Sequence, residues 1–380
     1  MKTPELAYIA WAKAMPAVAV NLARSGVDHC PPSLLRPRVA DLVTQLPVRY
    51  GFAPLREAIG ARYLVGEDRV FTVSGGTSLA NWLAIAAALH GCPPRTEVVV
   101  ERPTYEPLLQ IPRMLGHRVR RLERRFGNGY EIDLDRFRGL VSSRTRLAIV
   151  TNLHNPSGAR IDAGTLADMA GIMARAGGML LVDEVYLECL FDERTVSCVH
   201  AGPNVITTNS LTKAYGLDGL RAGWMLGPSA VVRRAMLIHD LLGNNGVAPG
   251  EQLTLRALER LTVIRARAQA LLVPNLVRVR RFFARERRLE ALVPDGGNVA
   301  FPRLPAGIES DAFAEHLVRQ YSTLVVPGRF FEAPRHVRFS FGMQSAQLAR
   351  GLGHISRALD DLGGHSSARS RMRGRAAPEC

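Results

Sequence analysis

The amino-acid sequence predicts an α/β fold in which a mainly parallel sheet is covered by helices on both faces, with a smaller α+β lobe attached. Between about residues 50 and 242, short apolar runs alternate with helical segments, which is the pattern of βαβ units. After Gly250 the pattern changes to a long Arg-rich helix, two strand-like runs and a further helix. The 380 residues are enough to bury a large core in such a two-lobed body.

The central strands are predicted from four short runs of apolar and β-branched residues, which suit strands buried on both faces. The predicted strands are residues 97–100, 147–151, 179–183 and 205–208. Between the second and third of these, Met169 and Met173 recur at helical spacing. Asp162 is a suitable N-cap and Gly177 a suitable stop, so the sequence predicts a helix over residues 162–176.

The smaller lobe is predicted from the C-terminal third of the chain. Its predicted elements are a helix from residue 250 to about 292, strands at 298–303 and 337–341, and a helix at 310–320. From residue 363 onward the chain has no periodicity, four arginines and many small residues. We therefore expect residues 363–380 to be a disordered tail.

Composition and charge exclude several classes of protein. Apolar residues make up 47% of the chain and the mean hydropathy is +0.01, values typical of globular proteins. No run reaches the roughly 18 uncharged apolar residues that a membrane span needs, so we expect no membrane partner. The net charge of +15 comes from arginines spread along the chain without a nucleic-acid-binding motif, so we expect no specific nucleic-acid partner.

The five cysteines are widely spaced and never form a CxxC pair, which suggests neither a disulfide framework nor a metal site. A reducing cytoplasm is the expected location. The first 20 residues are fairly apolar, but Glu5, Lys13 and Pro16 interrupt the pattern of a signal peptide. We expect this segment to be an amphipathic helix that packs on the body of the protein.

Lys213 is the strongest candidate for a catalytic residue. Only three of the 49 basic residues are lysines, and this one follows a predicted buried strand in the segment NSLTKAYGLDGLRAGW. Burial and nearby cations lower the pKa of an amine, which favours formation of a Schiff base with a carbonyl. Ser210 and Thr212 supply hydroxyl groups beside it, and Arg221 lies eight residues further on.

Two further polar segments follow predicted strands. Asp183, in VDEVY, ends a buried strand at the edge where open α/β sheets bind ligands. Asn155, in NLHNPSG, follows another strand in a rigid Pro-Gly turn.

Near the start of the alternating region, the segment Ser74-Gly75-Gly76-Thr77-Ser78 leads into a predicted helix at 79–90. Its backbone N–H groups, hydroxyls and helix N-terminus suit a phosphate.

Together and in this order, these motifs resemble those of the pyridoxal-phosphate (PLP) enzymes of fold type I, specifically the class I/II aminotransferases of the aspartate aminotransferase family. The resemblance runs from about Asn21 to Leu362. It implies a large domain with a mostly parallel seven-stranded sheet and a smaller α+β domain built from both termini. It also implies a homodimer whose active sites lie at the subunit interface.

The resemblance assigns roles to the cofactor-side residues. Lys213 would form the Schiff base and move the proton, and Asp183 would pair with the pyridinium nitrogen. Asn155 and Tyr186 would hydrogen-bond the phenolic oxygen, and Tyr105, in ERPTYEP, would stack on the ring. The residues implied to hold the phosphate are Gly76, Thr77, Ser78, Ser210 and Arg221.

The resemblance also implies substrate-side and partner-side residues. Arg338, in HVRFSFG, would grip the substrate carboxylate with a bidentate fork. Gly26, in NLARSGV, would belong to the loop that closes over that carboxylate. Tyr50, in RYGFAPLREAI, would reach the cofactor phosphate of the neighbouring subunit, and Asn244 and Asn245 lie in the other region that crosses to the partner.

These assignments favour a transaminase that moves an amino group from an L-α-amino acid to a 2-oxo acid by a ping-pong mechanism. The expected domains are an arm and part of the small domain (1–47), the large PLP-binding domain (48–250), an interdomain helix with the small domain (251–362), and the tail.

Two alternatives stay open. The segment RSGVDH resembles the start of fold-type-I capreomycidine synthases, so elimination or cyclisation with the same cofactor is the first alternative. A non-enzymatic regulator of this fold is the second, although the 20 residues before Asn21 are too few for a helix-turn-helix module.

Overall fold

The computed structural model describes residues 5–42, 50–191, 196–243 and 245–373, with side chains up to residue 363. The strands are β1 (Val20–Asn21), β2 (Val70–Ser74), β3 (Glu97–Arg102), β4 (Arg118–Glu123), β5 (Thr145–Thr151), β6 (Met179–Asp183), β7 (Val205–Asn209), β8 (Ala222–Leu226), β9 (Val299–Ala300), β10 (Thr323–Leu324), β11 (Val326–Pro327) and β12 (Val337–Ser340). The helices are α1 (Ala7–Ala14), α2 (Ala53–Tyr63), α3 (Gly76–Leu89), α4 (Glu106–Met114), α5 (Leu134–Leu140), α6 (Ala163–Arg175), α7 (Thr212–Tyr215), α8 (Ser229–Asp240), α9 (Ala248–Glu259), α10 (Leu261–Arg285), α11 (Ser310–Tyr321) and α12 (Ser345–Arg373).

A seven-stranded sheet of order β2-β8-β7-β6-β5-β3-β4 forms the centre of the large lobe. Strand β8 runs antiparallel to both of its neighbours, whereas the strands from β7 to β4 are all parallel. The predicted α/β class and mostly parallel seven-stranded sheet are therefore confirmed. The four predicted central strands correspond to β3, β5, β6 and β7.

Alternate side chains of each central strand pack on opposite faces of this sheet. Val98 and Ile149 join a cluster beneath α3, α4 and α8, whereas Val99 and Val150 join a cluster beneath α5 and α6. Because both faces are covered by helices, these strands are apolar throughout, as the sequence indicated. Because both faces are covered, the sheet can contact a ligand only at the ends of its strands.

The smaller lobe combines segments from both ends of the chain. Strand β1 pairs in parallel with β10, and the amide of Ser340 donates to the carbonyl of Leu22. A separate antiparallel sheet has the order β11-β12-β9. These contacts confirm a small α+β lobe built from both termini, and the exact domain boundaries stay a prediction.

Local signals placed some helix ends correctly and missed one break. Helix α6 begins after Asp162, whose carboxylate accepts the Thr165 amide at 2.9 Å, as predicted. The prediction of a single long helix from residue 250 to 292 is wrong, because the structure has two helices in this segment, α9 and α10. The break falls at Arg260, whose backbone departs from helical angles (φ −111°, ψ 16°) while its guanidinium donates to the carbonyl of Leu34.

At the C-terminus, helix α12 continues as helical backbone to Arg373, beyond the start predicted for the tail, and residues 374–380 lie outside the described residues. Among the helices of the described ranges, none combines the length and the apolar character needed to cross a membrane.

Candidate active site

A cavity of about 190 Å³ lies at the carboxyl ends of the parallel strands. Thr151 and Asp183 are the last residues of β5 and β6, and Lys213 follows β7 in α7. Ten of the predicted site residues line this cavity: Gly76, Thr77, Ser78, Tyr105, Asn155, Asp183, Tyr186, Lys213, Arg221 and Arg338. The fold thus brings together motifs that are separated by more than 250 residues in the sequence.

The amine of Lys213 is buried at the centre of the site, where its Nζ donates to Ser25 Oγ at 2.6 Å. Burial, reinforced by the nearby positive charge of Arg338, lowers the pKa of Lys213 to about 8. The carboxylates of Asp218 and Asp183 oppose this shift in part. A sizeable fraction of the amine is therefore neutral near pH 7 to 8, which is the form that attacks a carbonyl.

Asp183 presents a buried carboxylate with fixed hydrogen bonds. Its Oδ2 accepts from Asn81 Nδ2 at 2.7 Å, and its Oδ1 accepts from the Val185 amide at 3.0 Å. The Oδ1 of Asn81 in turn accepts from the Thr208 hydroxyl at 2.5 Å. Burial raises the pKa of Asp183, and the two donated hydrogen bonds oppose that rise. Such a carboxylate is suited to pairing with a cationic ring N–H.

The N-terminus of α3 and residues around Arg221 form a cradle for an anion. Gly76 begins the helix with φ +66°, and a Cβ on Gly223 would lie 2.4 Å from the carbonyl carbon of Gly76. The Arg221 guanidinium donates to the Gly75 carbonyl at 2.7 Å, and Thr77 Oγ1 donates to Ser210 Oγ at 2.9 Å. Backbone N–H groups, hydroxyls and a guanidinium at one helix N-terminus are the donors that a phosphate requires.

Arg338 lies on the opposite side of the cavity, with its side chain fully buried. Its NH1 donates to Asn155 Oδ1 at 3.1 Å, and its NH2 donates to Tyr8 Oη at 2.9 Å and to the Ala23 carbonyl at 3.3 Å. Its Nε has no partner among the described residues. A buried guanidinium with a free N–H is suited to binding a carboxylate.

Two tyrosines complete the wall of the cavity. Tyr105 lies beside Ser78 and meets the Tyr8 ring edge-on at 6.2 Å between centroids. Burial raises the pKa of Tyr105 to about 12, and burial also raises the pKa of Tyr186, which lies beside Ser25. Both phenols are therefore neutral hydrogen-bonding groups at physiological pH.

The remaining predicted residues do not line the cavity of this chain. Ser210 lies directly behind it, bonded to Thr77. Gly26 packs against the Lys213 backbone, since a Cβ added to it would lie 3.5 Å from the Lys213 Cα. Tyr50 lies outside the cavity, 37% exposed, with its hydroxyl donating to Asp240 at 3.3 Å. Asn245 is described but does not line the cavity, and Asn244 lies outside the described residues.

Sequence reasoning missed several residues of the cavity wall, among them Tyr8, Ser25 and Asn81. Asn81 could have been found, because it lies four residues after Thr77 and therefore on the same helix face. Tyr8 belongs to the predicted N-terminal helix, but nothing local connects it to Arg338. Helix α1 is placed over the cavity by Glu106, whose carboxylate accepts the amides of Ala7 and Tyr8 at 3.1 and 2.9 Å.

A buried ion pair supports the loop that carries Asn155. Arg124 NH1 donates to Glu101 Oε2 at 2.8 Å, and both side chains are fully buried. Glu101 Oε1 accepts the amide and hydroxyl of Thr151 at 2.7 and 2.6 Å, and the Thr151 hydroxyl accepts the Asn155 amide at 3.0 Å. The pair thus fixes the turn after β5 from behind.

Comparisons with known proteins agree with this arrangement. The family model described as aminotransferase class I and II matches residues 42–355. The chain is 34% identical to capreomycidine synthase from Streptomyces vinaceus over 357 residues, which cover 90% of this chain and 87% of that protein.

Among solved structures, a PLP-dependent aminotransferase from Streptococcus suis superposes with a TM-score of 0.87 at 24% identity, covering 95% of this chain and 99% of that one. The PLP-dependent cyclase OrfR superposes with a TM-score of 0.85 at 27% identity, covering 95% and 98%.

Proposed function

The chain belongs to the class I and II aminotransferase family, whose members are PLP-dependent enzymes, and we propose that it transfers an amino group from an L-α-amino acid to a 2-oxo acid. The observation that carries this proposal is that Lys213, Asp183 and Arg338 line one small cavity. Together they offer an amine for a carbonyl, a carboxylate for a ring nitrogen and a guanidinium for a substrate carboxylate.

The residues present fit PLP. The cradle at Gly76 and Gly223 has no space for a Cβ at Gly223, and Arg221 lies beside it, so a phosphate would be held there by Gly76, Thr77, Ser78, Ser210 and Arg221. Asp183 would pair with the ring nitrogen and Tyr105 would pack on the ring. Asn155 and Tyr186 would hydrogen-bond its phenolic oxygen. When bound, PLP supplies an aldehyde for the amino group and an electron-withdrawing ring that acidifies the substrate Cα–H.

The chain's own residues provide the binding and proton-transfer steps. Arg338 binds the α-carboxylate, and Asn155 and Tyr8 hold its guanidinium in place. The neutral amine of Lys213 accepts the proton from the substrate Cα and returns it later, because its lowered pKa leaves it partly unprotonated at physiological pH. Amino acids and 2-oxo acids both carry a carboxylate next to the reacting carbon, so the same arginine serves both halves of a ping-pong reaction.

Elimination or cyclisation is the second candidate reaction. It is motivated by the 34% identity to capreomycidine synthase and by the likeness to the cyclase OrfR. The same binding residues would serve this reaction, and the difference would lie in the fate of the substrate Cβ. The two reactions are separated by their products.

The test is an anaerobic screen of the cofactor-loaded protein against each common amino acid, with pyridoxamine phosphate and the keto acid quantified. Transamination predicts stoichiometric pyridoxamine phosphate with at least one donor, and Lys213→Ala should abolish it. A spectral change without pyridoxamine phosphate would favour elimination or cyclisation. The absence of any visible band after cofactor addition would contradict the assignment of Lys213.

We also propose a homodimer with active sites at the subunit interface. Tyr50 contacts Asp240 at the end of α8, and the apolar residues Leu237, Leu241, Leu242 and Val247 in and after this helix are 52–85% exposed. A second copy of the chain would cover this surface and bring its Tyr50 towards the neighbouring site. Size-exclusion chromatography with light scattering should show a dimer for the wild type and monomers for Leu241→Glu.

The cytoplasmic location and the absence of a specific nucleic-acid partner stay predictions of the sequence. A gel shift at moderate salt tests the second, because a charge of +15 gives only salt-sensitive, non-selective binding.

A further inference from the structure

Ser25 occupies a position between two groups of the candidate active site. Its Oγ accepts the hydrogen bond from Lys213 Nζ at 2.6 Å, and its side chain lies beside the Tyr186 hydroxyl. Ser25 lines the same cavity as these two residues. Among the residues that the structure describes, Ser25 is the one whose side chain hydrogen-bonds the Lys213 amine.

The backbone around Ser25 is held from several sides. Asn298, which is fully buried, donates to the Ser25 carbonyl at 3.0 Å. The Val27 amide donates to the Lys213 carbonyl at 2.9 Å, so the two segments are joined directly. A Cβ on Gly342 would lie 3.1 Å from the Gly26 carbonyl, which shows how closely the small lobe packs here. The Ser25 hydroxyl therefore has a fixed position relative to Lys213.

We propose that Ser25 is a positioning residue for Lys213: its hydroxyl holds the free amine at one place in the cavity. A serine hydroxyl can accept a hydrogen bond from the amine and still donate its own proton elsewhere. The long lysine side chain otherwise has several rotamers, and this contact selects one of them. The inference deepens the proposed function, because it concerns the amine that would exchange protons with the substrate.

The contact also has an electrostatic consequence. A hydrogen bond to a charged donor is stronger than one to a neutral donor, so the Ser25 hydroxyl stabilises the ammonium form of Lys213 more than the amine form. Removing the hydroxyl should therefore lower the pKa of Lys213 further below its ordinary value. A residue that merely filled space would not change that pKa in this direction.

Competitive labelling of the cofactor-free protein tests this inference. Trace amounts of isotopic acetic anhydride are added at a series of pH values, and the label on each lysine is quantified by peptide mass spectrometry. Because the chain has only three lysines, the Lys213 peptide is readily separated, and the exposed Lys13 serves as the internal reference. The wild-type midpoint for Lys213 is expected at about 8.

Ser25→Ala should lower this midpoint by about one pH unit, which corresponds to about 1.4 kcal/mol. Ser25→Thr keeps the hydroxyl and should retain the wild-type midpoint. Ser25→Cys keeps the approximate shape with a weaker acceptor and should shift the midpoint downward, so it replaces Ser25→Ala if that variant does not fold. The matched control is Ser143→Ala, which removes an exposed hydroxyl outside the cavity and should leave the midpoint unchanged.

An unchanged midpoint in Ser25→Ala would overturn the inference. Equal shifts in Ser25→Ala and Ser25→Thr would also overturn it, because the hydroxyl would then not be the cause. Failure of the proposed function is seen separately, in a wild-type protein that forms no pyridoxamine phosphate with any donor. The labelling experiment contains no cofactor and is read independently of that outcome.

Discussion

Replacing Asn81 by alanine should change the pH range over which the enzyme retains its cofactor. Asn81 Nδ2 provides one of the two hydrogen bonds that the Asp183 carboxylate accepts in the structure, and the Val185 amide provides the other. Without Asn81, the buried carboxylate is less well stabilised in its charged form. Its pKa, already raised by burial, should rise further.

The size of this change follows from the geometry. A buried hydrogen bond to a charged group contributes about 1.5 to 3 kcal/mol. Since one pKa unit corresponds to about 1.4 kcal/mol, the pKa of Asp183 should rise by about one to two units in Asn81→Ala. In the proposed arrangement, a protonated Asp183 would no longer offer a negative charge to the pyridinium nitrogen. Cofactor should therefore be lost on acidification at a pH about one to two units higher than in the wild type.

The assay is equilibrium dialysis of the cofactor-loaded protein at a series of pH values, with the retained PLP measured by its absorbance. Asn275→Ala is the matched control, because Asn275 is equally buried but bonds the carbonyls of Phe341 and Met343 at 2.8 and 2.6 Å, away from the cavity. It should reduce thermal stability without moving the pH of cofactor loss. If Asn81→Ala retained cofactor to the same pH as the wild type, its role would be packing alone and the reasoning on Asp183 would be wrong.

Three further predictions follow from the buried charges. Because the pKa of Lys213 is lowered from 10.5 to about 8, Lys213→Met should stabilise the cofactor-free protein below pH 8 by about 3 kcal/mol. Between pH 8 and pH 10.5 the folded wild type binds fewer protons than the unfolded chain, so its stability rises with pH. The stability advantage of Lys213→Met, measured by urea unfolding, should therefore vanish above pH 10.5. An equal difference in stability between the two proteins at pH 7 and above pH 10.5 would contradict this. Arg338→Lys, which cannot form a bidentate fork, should raise the half-saturating donor concentration about 10-fold or more while the visible cofactor band is kept; unchanged saturation would exclude Arg338 from carboxylate binding. Glu101→Gln leaves Arg124 buried without its counter-ion and should lower the free energy of unfolding by about 3 to 5 kcal/mol, with a smaller loss for Glu101→Leu combined with Arg124→Met; equal losses in the single and double variants would contradict an effect of the unpaired charge.

Several parts of the fold were accessible from the sequence because they depend on short-range chemistry. The parallel strands were found from apolar runs, and helix α6 from its spacing and its Asp162 cap. The placement of Asp183 at a strand end and of Lys213 just after a strand required only the positions of β6 and β7. In a parallel sheet, strand ends meet at one edge, so neighbouring motifs were bound to converge.

The break at Arg260 was not accessible in this way, because the amphipathic pattern runs through it. The helix is interrupted where Arg260 contacts the Leu34 carbonyl, and that partner lies 226 residues away. The position of Tyr50 outside the cavity of its own chain is compatible with the resemblance, which implies a role in the neighbouring subunit, and that role stays a prediction.

The sequence alone determined the fold class, the cofactor family and the order of the residues that line the site, because each rests on periodicity or on a local motif. Only the tertiary structure decided how those residues are held. Tyr8 meets Arg338 across 330 residues, Ser25 meets Lys213 across 188 and Asn81 meets Asp183 across 102. Each of these contacts joins elements from different parts of the chain, and their distances depend on how the helices and the two lobes pack around the sheet.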